Sequence, residues 1–176
     1  KIQCNFLINA SGLHTEDVAN RIEEINLPKI KTVMYAKGHY YLYKKKNPFR
    51  HLIYPLPSSN GHGIHAGMDI ENNLRFGPNA KWVDSIEYSF DENTLDEFCN
   101  SIKSYWINFD PSCLTPDYTG IRSKTVAEGE GSQDFEILDA SDHGLENLIH
   151  LQGIDSPGLT SSLSIAAEVM SKLGIH

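Results

Sequence analysis

The segment Leu151-Gln152-Gly153-Ile154-Asp155-Ser156-Pro157-Gly158-Leu159-Thr160, near the carboxyl end, governs our interpretation of the whole chain. The apolar residues before it predict a strand, and Ser156 and Pro157 fit the cap and first turn of a helix. A helix is also predicted by apolar residues at helical spacing, namely Leu159, Leu163, Ala166, Ala167, Met170 and Leu173. A glycine turn between strand and helix directs backbone N–H groups toward one point, which suits an anion or an electron-rich ring. An ordinary strand-to-helix connection has the same pattern.

Length and composition limit the classes of protein to which the chain can belong. The chain has 176 residues and 40% hydrophobic content, enough for one large domain or two small lobes. A net charge of −8 argues against a nucleic-acid partner, and no apolar run is long enough to span a membrane. Cys4, Cys99 and Cys113 form no C-x-x-C pair, so the sequence predicts neither a disulfide framework nor a zinc site. Because the first residue is Lys1, we expect a fragment or a processed product.

The chain changes character along its length. Residues 5–10 form a continuous apolar run before Ser11-Gly12, which predicts a strand buried on both faces of a parallel sheet. Residues 31–83 are rich in tyrosine, valine and alternating patterns and predict an antiparallel meander. Asp91 fits the cap of an amphipathic helix that places Cys99 in a core. Parallel-type elements at both ends therefore flank an antiparallel sheet, which predicts a mixed α+β and α/β fold with one lobe inserted into another.

Two motifs in the middle of the chain suggest sites that we reject. Gly61-His62-Gly63-Ile64-His65-Ala66 matches G-x-G-x-x-A, but a dinucleotide site needs a helix after it and a β-alternating segment follows. The histidines at 39, 51, 62 and 65, with Asp69, suggest a metal. In regular β geometry, however, His62 and His65 point to opposite faces of the strand because they are three residues apart. The segment also offers too few possible ligands for a metal site. We therefore predict no metal site.

Two residues remain as candidates for chemistry. His65 alternates with apolar neighbours, so it points away from the core and is either a surface histidine or a base near neutral pH. Arg122 lies in a strand with few charges and is either part of a structural ion pair or a planar carboxylate-binding group.

Seven short motifs then occur in a fixed order. They are Asn9-Ala10-Ser11-Gly12, Ala36-Lys37-Gly38-His39-Tyr40, Leu52-Ile53-Tyr54-Pro55, Gly63-Ile64-His65, Arg75-Phe76-Gly77-Pro78, Tyr118-Thr119-Gly120-Ile121-Arg122 and Gly153 to Thr160. With them the chain resembles the C-terminal half to two-thirds of FAD-dependent oxidoreductases of the D-amino-acid-oxidase superfamily. Within that superfamily it is most similar to the L-2-hydroxyglutarate dehydrogenase/oxidase branch.

The resemblance implies a division of the chain and a cofactor. Residues 1–27 and 118–176 would form part of an FAD-binding lobe, and residues 28–117 an antiparallel-sheet substrate lobe. The N-terminal FAD-binding segment with its G-x-G-x-x-G turn would be a missing partner of this chain, because that segment holds the ADP half of FAD. We therefore expect the 176-residue chain to be inactive alone.

The resemblance also implies roles for particular residues. Arg122 would bind the substrate carboxylate, Tyr54 and His65 would face the substrate, and His65 would take the hydroxyl proton while hydride passes to the flavin. The residues that it places beside the cofactor are Ala10, Gly12, Gly153, Ile154, Asp155, Ser156, Gly158, Leu159 and Thr160. Ser123, where the family commonly has proline, and Asp155, where it commonly has glutamate, are mild departures.

Three functions stay open from the sequence. The first is oxidation of a small 2-hydroxy acid such as L-2-hydroxyglutarate, with a small carboxylate as the substrate. The second, on the same fold, is an amine oxidase acting on glycine or D-amino acids. The third is a non-catalytic α+β binding module. The expected location is cytoplasmic, with a mitochondrial or membrane-peripheral location left open because the start of the chain is expected to be missing.

Overall fold

A computed structural model describes residues 2–56, 63–131 and 133–175. Gly61 and His62 of the rejected glycine motif lie outside the described residues. The strands are β1 Leu7–Asn9, β2 Met34–Tyr43, β3 Ala66–Met68, β4 Leu74–Phe76, β5 Lys81–Val83, β6 Leu114–Lys124, β7 Glu136–Leu138 and β8 Leu148–Gln152. The α-helices are α1 Thr15–Ala19, α2 Leu95–Lys103, α3 Ala140–His143 and α4 Ser162–Lys172.

The chain divides into two compact units. The first contains Lys1–Tyr35 and Arg122–His176, and the second contains Ala36–Ile121. The mixed fold with an antiparallel sheet is confirmed. The assignment of residues 1–27 and 118–176 to cofactor binding, and of residues 28–117 to substrate binding, stays a prediction.

The first unit is built on a three-stranded sheet in the order β1-β8-β7. β1 runs parallel to β8, and β7 runs antiparallel to it. All five residues of β8 are buried, since Leu148 packs with Ala19 and Ile25 while Ile149 and Leu151 pack with Val169. The central strand with two covered faces is therefore β8.

The predicted burial of β1 is wrong. Leu7 and Ile8 are 43% and 45% exposed. An apolar run indicates a strand, but its burial depends on where the strand lies in the sheet, and β1 is at the edge of the described sheet.

The predicted start of the last helix is also wrong. Residues 156–161 form turns, and α4 begins at Ser162 rather than after a cap at Ser156. The inward face of the helix also differs from the predicted one: Ile165, Val169 and Leu173 contact the core. The predicted apolar stripe is mostly outside it, with Leu159, Leu163 and Met170 exposed.

The second unit contains the antiparallel sheet that the meander predicts. β3, β4, β2 and β5 lie in that order, and β6 also pairs with β2. One face of the sheet packs on α2 through a largely aromatic core that includes Tyr41, Phe76 and Phe98. Cys99 is 8% exposed in this core, as its position on the amphipathic face predicts.

Candidate functional site

A small cavity of about 220 Å³ lies in the first unit. It is lined by Ala10, Gly12, Ser123, Leu151, Gln152, Gly153 and Ile154. Three of these seven residues are glycine or alanine, so backbone forms much of the wall and a flat ring can approach it closely. Sites for drug-sized ligands measure about 300–1,000 Å³, so this cavity fits one ring system rather than a whole dinucleotide.

The turn after β1 reaches the cavity because Asn9 fixes it. The buried Asn9 side chain donates through Nδ2 to the Thr15 carbonyl at 2.8 Å and to His150 Nδ1 at 2.9 Å. Its Oδ1 accepts from Ser11 Oγ at 2.6 Å. Thr15 in turn donates from Oγ1 to the Leu151 carbonyl at 2.7 Å. These bonds tie the turn to α1 and to β8, so the backbone that carries its two cavity residues is held in place.

The turn after β8 is held by contacts of its own. The Asp155 N–H donates to the Gly153 carbonyl at 3.1 Å, and the Gly158 N–H donates to the Asp155 carbonyl at 2.6 Å. The Asp155 carboxylate forms an ion pair with Lys124 at the end of β6. The N–H groups of Asp155 and Gly158, which we expected to face a ligand, therefore donate to carbonyl groups within the turn.

Gly158 is required by the shape of this turn. A Cβ atom there would lie 2.6 Å from the Asp155 carbonyl oxygen and 2.7 Å from Ile154 Cγ2. Since real Cβ atoms do not approach backbone so closely, any larger residue would displace the turn next to the cavity.

The structure brings together four of the nine residues predicted beside the cofactor: Ala10, Gly12, Gly153 and Ile154 all line the cavity. Asp155 pairs with Lys124, and Ser156, Gly158, Leu159 and Thr160 lie in the turns before α4, where Leu159 is 91% exposed. Sequence reasoning missed Ser123, Leu151 and Gln152. The available signal was a polar residue, Gln152, at the end of an apolar strand and directly before a glycine.

Gln152 forms a rigid part of the cavity wall. Its side chain is buried, donates from Nε2 to Glu136 Oε2 at 2.6 Å and accepts from the Lys31 N–H at 3.0 Å. Glu136 also accepts from Lys31 Nζ at 2.7 Å and from Gln133 Nε2 at 2.6 Å. With its amide oxygen and nitrogen both bonded, Gln152 shapes the cavity wall in a fixed orientation.

Tyr54 and His65 are brought together in the second unit. Ile53 and Ala66 exchange two backbone hydrogen bonds of 3.0 Å, so Tyr54 and His65 form the next cross-strand pair. Their ring centroids lie 4.2 Å apart. Because Ala66 is buried in the core, His65 points to the opposite face, as the alternation in the sequence predicts.

Arg122 belongs to the first unit, on β6. It directly precedes Ser123, which lines the cavity and is 5% exposed. Side chains alternate along a strand, so Arg122 points to the other face of β6 from Ser123. Arg122 is therefore not one of the residues that line the cavity, although its strand contributes Ser123 to the wall.

Within residues 2–56, 63–131 and 133–175, no group of three or more His, Cys, Asp or Glu side chains is arranged to hold a metal ion. None of the helices that the structure describes is long and apolar enough to cross a bilayer.

Comparison with known proteins gives the family. The sequence model of the DAO family, FAD dependent oxidoreductase, matches residues 1–172. The chain belongs to this family. The DAO-family chain is 31% identical to the mitochondrial L-2-hydroxyglutarate dehydrogenase of Arabidopsis thaliana, over 96% of the chain and 37% of that protein. It is 28% identical to the glycerol 3-phosphate dehydrogenase of Caloramator mitchellensis, over 96% of the chain and 33% of that protein. The chain thus spans about a third of the length of these relatives.

A solved structure has the same fold as this DAO-family chain. It is the L-alpha-glycerophosphate oxidase of Mycoplasma pneumoniae with FAD bound, which superposes with a TM-score of 0.76 at 18% identity. The match covers 96% of this chain and 42% of that one.

The cavity residues fit part of the family's cofactor. Ala10, Gly12, Ser123 and Gly153 bring backbone and small side chains to the wall, beside the larger Leu151, Gln152 and Ile154. The volume admits a flavin ring system, while an adenine and a pyrophosphate need further space.

Proposed function

We propose that the complete protein is an FAD-dependent oxidoreductase that oxidises a small L-2-hydroxy acid, L-2-hydroxyglutarate or a close analogue. The observation that carries this proposal is the 31% identity to the Arabidopsis thaliana L-2-hydroxyglutarate dehydrogenase over 96% of the chain. The paired rings of Tyr54 and His65, on the sheet face opposite the core, support it.

In this proposal each candidate residue has a defined task. Arg122 holds the substrate carboxylate by two parallel N–H···O bonds. An imidazole nitrogen of His65 accepts the proton of the 2-hydroxyl group, while the Tyr54 ring packed beside it restricts rotation of the imidazole. When bound, FAD supplies the hydride acceptor.

The cavity of the first unit would hold the flavin ring system, with the backbone at residues 10–12 and 153–154 against it. The adenosine and pyrophosphate of FAD would be held by other residues of the complete protein, since this cavity fits one ring system. The cytoplasmic location stays a prediction, although the Arabidopsis thaliana relative is named as mitochondrial.

A second candidate is oxidation of glycerol 3-phosphate, because two of the similar proteins carry that name. A phosphate dianion is normally held by several cations. On the second unit Arg75 is already engaged by Asp69 at 2.6 Å and by Asp117 at 2.5 Å. Because L-2-hydroxyglutarate and glycerol 3-phosphate are both dianions near neutral pH, these ion pairs do not separate the two substrates, and the experiment below does. The amine oxidase predicted as an alternative would share the fold and the arginine.

One experiment separates these functions. The complete protein is purified with its flavin and mixed anaerobically with L-2-hydroxyglutarate, D-2-hydroxyglutarate, glycerol 3-phosphate, glycine or D-alanine, and the flavin absorbance is followed. We expect rapid bleaching with L-2-hydroxyglutarate alone. Bleaching only by glycerol 3-phosphate or by an amine would overturn the proposal, and a complete protein without flavin would support the non-catalytic module.

A further inference from the structure

A row of residues crosses the open face of the sheet in the second unit. Tyr41 and Ala66 both pair with Phe76, and all three are buried in the core. In the adjacent row on the opposite face, Tyr40 and His65 therefore stand on either side of Gly77. The Gly77 N–H donates to the His65 carbonyl at 3.0 Å, which fits this register.

The row continues at both ends with aromatic rings. Tyr54 packs against His65, and Tyr118 stacks on Tyr40 with ring centroids 4.4 Å apart and planes at 15°. The order across the face is Tyr54, His65, Gly77, Tyr40 and Tyr118, and we call this set the aromatic row. Gly77 is its only member without a side chain.

Gly77 places no side chain between the imidazole and the phenol. Neighbouring strands lie about 4.8 Å apart, so Tyr40 and His65, two strands apart, are separated by roughly 10 Å at the backbone. A Cβ atom on Gly77 would lie 2.9 Å from Tyr40 Cδ1 and 2.6 Å from the His39 carbonyl oxygen. The Tyr40 ring therefore occupies the space that a side chain at position 77 would fill.

The charged side chain nearest to Gly77 on β4 is paired. Arg75, two residues before Gly77, is bonded to both Asp69 and Asp117. Burial raises the pKa of Tyr118, and the neighbouring Tyr40 adds to this effect, so the Tyr118 phenol stays protonated at neutral pH.

We propose that Tyr40 determines the size of the substrate, because its ring covers Gly77, the residue that separates it from His65 in the row. This inference rests on the proposed function. The carbon chain of a small 2-hydroxy acid packs on the Tyr40 ring with its hydroxyl toward His65, and this ring, held by its stack on Tyr118, excludes bulky side chains.

The test compares two substrates that differ only beyond C4. L-2-hydroxyglutarate ends in a carboxylate, and L-2-hydroxy-4-phenylbutanoate carries a phenyl ring at the same place. In the FAD-loaded complete protein, Tyr40→Ala should raise the ratio of kcat/KM for the phenyl substrate over the carboxylate substrate by about tenfold or more. The Kd values of the corresponding 2-oxo acids, measured from perturbation of the flavin spectrum, should change in the same direction without any turnover.

Two further variants make the result decisive. Tyr40→Leu keeps an apolar side chain on β2 but shortens it, and it decides the test if Tyr40→Ala does not fold. Ile107→Ala removes an exposed apolar side chain outside the row and should leave the ratio unchanged. If the wild type is active and neither Tyr40 variant changes the ratio of the two kcat/KM values, this inference is wrong and the proposed function is unaffected. A wild type that no 2-hydroxy acid reduces overturns the proposed function and this inference together.

Discussion

The Lys124 ammonium at the end of β6 is ion-paired with the Asp155 carboxylate in the turn that follows β8. The two side chains are 30% and 11% exposed, so removing the lysine would leave a largely desolvated carboxylate without its partner. We expect Lys124→Met to loosen the turn and to weaken FAD binding by the complete protein about tenfold or more. Flavin fluorescence during titration gives the dissociation constant.

A matched pair in the same unit supplies the control. Lys172 pairs with Asp139 at 2.7 Å, with side chains 26% and 24% exposed, and neither residue lines the cavity. Lys172→Met should lower thermal stability but leave FAD affinity unchanged. Equal weakening of FAD binding by both variants would contradict a specific role for Lys124.

Gly158→Ala should also impair cofactor binding, for a steric reason. The new methyl would collide with the Asp155 carbonyl and with Ile154, which lines the cavity, so the turn must move. We expect less flavin per protein after purification, measured from the absorbance ratio. Gly67→Ala is the control, because a Cβ there meets only the Arg75 carbonyl at an ordinary 3.9 Å. Full flavin content in the Gly158 variant would argue against this constraint.

In this proposal the Arg122 guanidinium binds the substrate carboxylate equally in the ground state and in the transition state. Arg122→Leu should therefore raise KM for the 2-hydroxy acid by about 100-fold, with a smaller effect on kcat. Arg122→Lys keeps the charge but loses the two-pronged contact and should give an intermediate KM. Steady-state kinetics on the complete protein measures both. An unchanged KM in the leucine variant would remove Arg122 from this role.

His65→Asn should lower kcat by about 10²–10⁴-fold, because it removes the group that takes the hydroxyl proton. The acidic limb of the wild-type pH profile, where protonation of the base suppresses activity, should change in the same variant. Tyr54→Phe keeps the ring against the imidazole and should retain most activity, whereas Tyr54→Ala should lower kcat. Near-normal turnover by His65→Asn over the whole pH range would exclude His65 as the base.

The stability of the first unit should fall in mild acid because of His150. This side chain is fully buried, and burial lowers its pKa; a hydrogen bond with Gln152 opposes the shift, and His143 adds a smaller lowering. In the unfolded chain the imidazole takes up its proton near pH 6.5. The unfolded state therefore binds more protons below that pH, and stability is lost as the pH falls from about 6.5 toward the lower folded pKa.

Hydrogen exchange at the β8 amides, corrected for intrinsic rates, tests this expectation at pH 7.5 and 5.5. The wild type should lose protection at the lower pH. His150→Gln, whose amide oxygen can accept from Asn9, should lose less, and His14→Gln, at an exposed position, should behave as the wild type. Equal loss of protection in the His150 variant would show that another group controls the pH response.

Local sequence predicts the strands well and the helix start poorly. β2 and β8 are rich in apolar and aromatic residues, and such segments favour strands. The dipeptide Ser156-Pro157 fits a helix start equally well whether or not a helix follows at once. The outcome depends on the bond from Gly158 to Asp155 and on the ion pair with Lys124, which is 31 residues away in the numbering.

The cavity was only half predictable for the same reason. The glycines that need backbone freedom stand out in the sequence, and Gly153, at a φ of 69°, is one of them. Ser123 is an ordinary polar residue near the end of β6, and nothing in its neighbours marks it. Gln152 is marked only by its place between an apolar strand and a glycine, and its position follows from the pairing of β8 with β1 and β7, which joins segments more than 100 residues apart in the case of β1.

The exposed position of β1 affects how the chain can be handled. In the described sheet its outer edge has no partner strand, and Phe6, Leu7 and Ile8 are each at least 40% exposed beside it. An apolar edge of this kind is a template for a strand from another molecule. A preparation of the isolated chain should therefore self-associate as its concentration rises, and a lysine introduced at position 8 should keep it monodisperse.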